Sequence, residues 1–111
     1  MIIKLRRRSA RYPDLTLGQL YVVIGIEGDD YRILNDAGRP YLYPRGIFEV
    51  LDAREPGDWV SEYGEEGERY AYPPPLNGPG FFEDFFDSKP DAVKTFWRIV
   101  NQRLSAVGAV A

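Results

Sequence analysis

Apolar and polar positions divide this chain into two regimes. Over residues 17–52 they fall in short β-branched and aromatic runs, each closed by a turn signal, whereas over residues 81–105 they recur at helical spacing. Residues 2–5 predict a first strand, followed by a loop around Tyr12-Pro13. Residues 20–26, Leu-Tyr-Val-Val-Ile-Gly-Ile, form the kind of run that packs on a pleated, half-buried surface. A turn over residues 27–30 leads into a strand over 31–35. Asn35-Asp36-Ala37-Gly38 then predicts a hairpin whose glycine takes the left-handed position. The return strand is residues 39–43, with Pro40 at its start, where a missing N–H is tolerated. Pro44-Arg45-Gly46 predicts a tight turn before a strand over 47–52.

Beyond residue 58 the pattern changes. Trp59 to Tyr63 and Arg69 to Tyr72 flank Gly64-Glu65-Glu66-Gly67, which predicts a second, polar hairpin. Pro73-Pro74-Pro75 is expected to leave it in polyproline II geometry. Residues 81–87 fit two turns of helix with four phenylalanines on adjacent stripes. A main helix follows: Ser88 with Asp91 has capping-box spacing, and Val93, Phe96, Trp97, Val100 and Leu104 form an apolar stripe. The small-residue tail from Ser105 to Ala111 is expected to fray.

Four or five strands at this spacing, with a short helical turn before the last, read as a small closed β-barrel. The segment resembles SH3-like barrels in the hairpin around residues 35–39 and in the step Tyr43-Pro44-Arg45-Gly46-Ile47-Phe48 into the final strand. The resemblance covers about half the chain and implies the barrel; with the helical spacing that follows and a length of 111 residues, the expected fold is mainly β with a C-terminal α-helix, of the α+β class, in a single domain spanning residues 1–111. Within it, 1–58 form an SH3-like barrel core, 59–76 an acidic hairpin and proline-rich segment, and 81–105 a helical tail packed on the barrel. The aromatic first-strand motif and long acidic loop of a conventional peptide-binding SH3 domain are not found here. Recognition of proline-rich ligands is therefore not expected, and fold alone does not specify function.

Charge sharpens the picture. Among the 111 residues, acids outnumber bases by 17 to 14. Residues 49–91 concentrate 12 of the acids against three bases, so this stretch carries −9 while each flank carries +3. Phosphate binding needs a cationic surface, so nucleic acid is not expected as a partner. The chain holds no cysteine and no histidine, which removes thiolate metal sites and the commonest general base and metal ligand. No phosphate-cradling loop, nucleophile elbow or EF-hand spacing is present. Neither a catalytic residue, a metal site nor a cofactor is expected. No apolar run reaches the roughly 18–20 residues of a membrane span, and the expected location is the cytoplasm.

The acidic hairpin is the expected binding surface. Glu62, Glu65, Glu66 and Glu68 offer charge for steering, and Trp59, Tyr63, Tyr70 and Tyr72 offer rigid contact area. The expected function is a non-enzymatic protein-binding module for a basic protein partner, the chain itself being a monomer or weak homodimer. In size, acidity and lack of cysteine it resembles the small immunity proteins that neutralise toxins by occluding an active site. Two alternatives stand beside it. One is a barrel that binds a small molecule or peptide in an aromatic cleft built from Tyr31, Tyr41, Tyr43 and Trp59. The other is an accessory subunit of a larger complex that pairs through the edge of its first strand, next to Arg6-Arg7-Arg8.

Overall fold

The longest strand organises the β part of the molecule. The computed structural model describes residues 1–110, with side chains through Leu104, and within it the chain forms two compact units, Met1–Tyr72 and Pro73–Ala111. In the first unit the strands are β1 (Ile2–Leu5), β2 (Leu20–Glu27), β3 (Asp30–Leu34), β4 (Pro40–Pro44), β5 (Phe48–Asp52), β6 (Val60–Tyr63) and β7 (Arg69–Tyr72). All pairings are antiparallel. The path runs β4-β3-β2-β1-β5, and β7 joins β2 while β6 joins β7. One edge of β2 is shared: β1 pairs with Leu20 to Val22 at its start, and β7 pairs with Ile26 and Glu27 at its end. A register shift between Val23 and Gly25, on the β3 side, separates these two halves.

The predicted strands and turns are formed within one or two residues of their expected ends. Gly38 has φ +73°. The Asn35 side-chain oxygen accepts from the Ala37 and Arg39 amides at 3.0 and 2.9 Å, which closes the β3–β4 hairpin. A single 3-10 turn, Arg45–Ile47, leads into β5 as anticipated.

The sheet is open, however: β4 and β5, at the two ends of the path, do not pair among the described residues. The first strand is formed where expected, but not as the accessory-subunit alternative requires. β1 lies between β2 and β5, so both of its edges are occupied and it offers none for pairing with another chain. Its alternation puts Ile3 and Leu5 into a core shared with Leu15, Tyr21, Val23, Ile26, Tyr31, Ile33, Tyr43, Phe48 and Ala71.

The second unit begins at the prolines. Only Pro73 is extended (φ −53°, ψ 143°); Pro74–Leu76 form a 3-10 turn closed by the Leu76 amide on the Pro73 carbonyl at 2.9 Å. Proline fixes φ near −65°, which suits polyproline II and 3-10 alike, and this hydrogen bond selects the latter. Helix α1 (Phe81–Phe86) and helix α2 (Pro90–Val110) follow.

Ser88 does not cap α2. At φ 59° it ends α1: its amide bonds the Phe85 carbonyl and the Lys89 amide bonds the Asp84 carbonyl, both at 3.0 Å, the Schellman pattern. Phe96 is the hub of this unit, with the rings of Phe85, Trp97 and Phe82 at 4.6, 5.1 and 6.0 Å. The buried face of α2 is Ala92, Phe96, Ile99 and Val100, rotated from the predicted stripe so that Leu104 is exposed. The fraying expected from Ser105 onward concerns side chains, and at Ala111 a residue, outside the described residues. Among the described residues no helix is long and apolar enough to cross a membrane.

Candidate partner-binding surface

The acidic hairpin is anchored through β7 and exposed through β6. Ala71 pairs with Ile26 and is buried, whereas all four residues of β6 are exposed. Across the hairpin Val60 faces Tyr72, Ser61 faces Ala71, Glu62 faces Tyr70 and Tyr63 faces Arg69. Alternation therefore puts Glu62 and Tyr70 on one face and Tyr63 and Arg69 on the other. Acid and aromatic surface wraps the free edge of β6 instead of covering one face.

Two local devices hold this shape. In the turn, Gly67 at φ +81° lets the chain reverse. The Gly64 amide donates to the Glu68 carbonyl at 2.9 Å, and the Glu68 carboxylate accepts from the Glu66 amide at 3.1 Å. At the strand end, Arg69 grips both oxygens of Glu55 at 2.6 and 2.7 Å and donates through Nε to the Ser61 hydroxyl at 3.0 Å. Bidentate pairs of this kind are the strong ones. The Arg69 hydrogen bonds hold the Glu55 carboxyl below its ordinary range. Asp52, bonded by Arg54, is likewise held well below the usual carboxylate range.

The eight residues expected to form the surface separate into three groups. Glu62, Tyr63, Glu65 and Glu66 are exposed, Tyr63 at 68%. Trp59, Glu68 and Tyr70 are half-buried, Trp59 against the core and Glu68 folded into its own turn. Tyr72 is buried at 5% exposure. Its hydroxyl donates to Glu27 at 2.6 Å and accepts from Arg32 Nε at 2.6 Å. Arg32 also donates to Glu27 and to the Pro40 carbonyl, both at 2.7 Å. Burial above all pushes the Tyr72 hydroxyl far above the ordinary tyrosine range. No protein-family model, curated protein or solved structure matches this chain.

The aromatic cleft of the small-ligand reading keeps two of its four expected residues, Tyr41 and Tyr43, and exchanges Tyr31 and Trp59 for others. Tyr41 and Tyr43 line a shallow cleft of about 420 Å³ together with Tyr12, Asp14, Arg32 and Leu42. Tyr31 belongs to the core, where Arg45 stacks over its ring at 5.0 Å, and Trp59 packs against the same core. Sequence reading missed Tyr12 and Asp14 as cleft residues and Arg69 with Glu55 as the hairpin clamp. A Tyr-Pro-Asp turn and an arginine inside an acidic stretch were the available signals.

Proposed function

We propose that this chain is a non-enzymatic protein-binding module of the immunity-inhibitor kind, working in the cytoplasm, that occludes a basic protein partner through the edge of its acidic hairpin. The observation that carries this reading is β6: an outermost strand, paired only with β7 among the described residues, with every residue exposed and carboxylates around its tip. An edge strand offers unpaired N–H and C=O groups to an incoming extended segment. Glu62, Glu65 and Glu66 add a field that steers a cationic partner and repels an acidic one, and Tyr63 adds a rigid contact. The scaffold is read as SH3-like, since the order β4-β3-β2-β1-β5 with a 3-10 turn before β5 suits that arrangement.

The test is the affinity of the purified complex across a salt series, for the native chain and for a variant carrying Glu62→Lys, Glu65→Lys and Glu66→Lys. The native complex is expected to weaken steeply with salt. The variant is expected to lose at least about tenfold in affinity at low salt and most of the salt dependence. Unchanged affinity and slope in the variant would refute the reading.

A further inference from the structure

We propose that the cleft lined by Tyr12, Asp14, Tyr41, Leu42 and Tyr43 is a binding site for an alkylammonium head group. It lies within the first unit and uses none of the hairpin residues.

The site is built rather than incidental. Tyr12 stands edge-on to Tyr43, with ring centres 5.4 Å apart at 78°. The loop that carries it is closed by the Tyr12 amide on the Ser9 carbonyl at 3.1 Å and the Leu15 amide on the Tyr12 carbonyl at 3.3 Å. The Asp14 carbonyl accepts from the Asp36 amide at 2.9 Å, which ties the same loop to the β3–β4 hairpin. Buried Asn35 donates to the Tyr43 hydroxyl at 3.0 Å and reaches the Asp14 carboxylate at 3.5 Å. Asp14 thus lines the cleft with its carboxylate near the Asn35 amide, while remaining exposed. Tyr41 is 42% exposed, so its ring is within reach of a ligand.

The lining chooses the sign of the ligand. The one cation in it, Arg32, is 7% exposed, and each of its three nitrogens is spent on Tyr72, Pro40 or Glu27. Its charge is met by Glu27 at 2.7 Å, so it offers little to an anion. The rest of the lining is three tyrosines, a leucine and one carboxylate residue, the combination that attracts an organic cation and gives it an apolar seat. Burial raises the Tyr43 hydroxyl above its ordinary range against the Asn35 hydrogen bond, and the Asp14 and Asp36 carboxylates push the same way, which marks the local field as negative. A volume of about 420 Å³ accepts a short alkyl stem bearing the ammonium.

The test is a titration of the whole chain, followed by amide and tyrosine-ring NMR shifts, with n-butylammonium and with n-butanol, which shares the stem without the charge. Butylammonium is expected to shift Tyr12, Asp14, Tyr41 and Tyr43 saturably in the millimolar range, and to bind at least about fivefold more tightly than butanol. Asp14→Asn and Tyr41→Leu, both at accessible positions, are each expected to weaken it at least about threefold, with the thermal midpoint unchanged. A third probe, N-acetyl-lysine amide, carries the same head on a peptide unit. Tighter binding than butylammonium assigns the head group to a protein side chain, and equal or weaker binding assigns it to a free amine. No saturable shift at the cleft, equal affinity for butylammonium and butanol, or both variants binding as the native chain does would overturn the proposal. Because the hairpin resonances are read in the same spectra, this result is independent of the binding surface on β6.

Discussion

Gly25 and Tyr72 show how much of this fold rests on a single close approach. The Tyr72 ring lies against Gly25, and a methyl group there would overlap the ring. Gly25→Ala is therefore expected to cost about 1–3 kcal/mol in urea denaturation by overpacking. Tyr72→Phe keeps the ring but leaves Arg32 and Glu27 without their shared hydroxyl, at an expected cost of about 1–3 kcal/mol. The two variants separate packing from polar pairing at one site. Tyrosine ionisation adds a pH dependence. Burial foremost holds Tyr72, Tyr21 and Tyr43 above the ordinary value of 10.0, so the unfolded chain loses these protons first. Their contribution to stability is whole below about pH 10 and is lost as pH rises beyond it. Urea midpoints are expected to fall from there upward, less steeply in Tyr72→Phe; a flat profile to pH 12 would contradict this. None of this was legible in the sequence, where Tyr72 looked like the last aromatic of an exposed strand. Only the pairing of β7 with β2 turns it inward against Gly25.

At the level of elements, local chemistry was legible where it acts within a few residues and misleading where two elements compete for one residue. The strands up to β5 were readable because β-branched runs alternate with strong turn signals, as at Asn35 to Gly38. Ser88 was misread because its spacing to Asp91 matches a capping box, yet the chain needs a left-handed residue there to finish α1. A non-glycine residue in that conformation is unfavourable by about 1 kcal/mol. Ser88→Gly is accordingly expected to stabilise the second unit by about 0.5–1 kcal/mol, read as a higher thermal midpoint. The hairpin gives the opposite test. Arg69→Gln removes both hydrogen bonds to Glu55 and is expected to cost less than about 1 kcal/mol globally, since the pair is partly solvated. Amide exchange in β6 is expected to accelerate more than exchange in β2, because among the described residues β7 is the one strand β6 pairs with, while β2 pairs with three.

For the whole molecule, the placement of edges decides what a partner can reach. Composition separated an acidic middle from two basic flanks, and that much of the candidate surface was legible. The sheet order was not, because it depends on contacts between residues far apart in sequence. The accessory-subunit alternative needed an open edge on β1, which is enclosed, while β6, expected as half of a hairpin, has an open edge, as β4 and β5 do, among the described residues. The acidic and aromatic residues therefore surround an edge instead of paving a face, and a partner that uses them must meet β6 itself. The most direct measurement is hydrogen–deuterium exchange of the chain alone and in complex with the partner captured from the cells that make it. The account predicts strong new protection of the amides of Ser61 and Tyr63, which alternate with the pairing to β7 and point to the outer edge, lost at high salt as the complex dissociates. Protection confined to other strands, with β6 exchanging as fast in the complex as in the free chain, would contradict it.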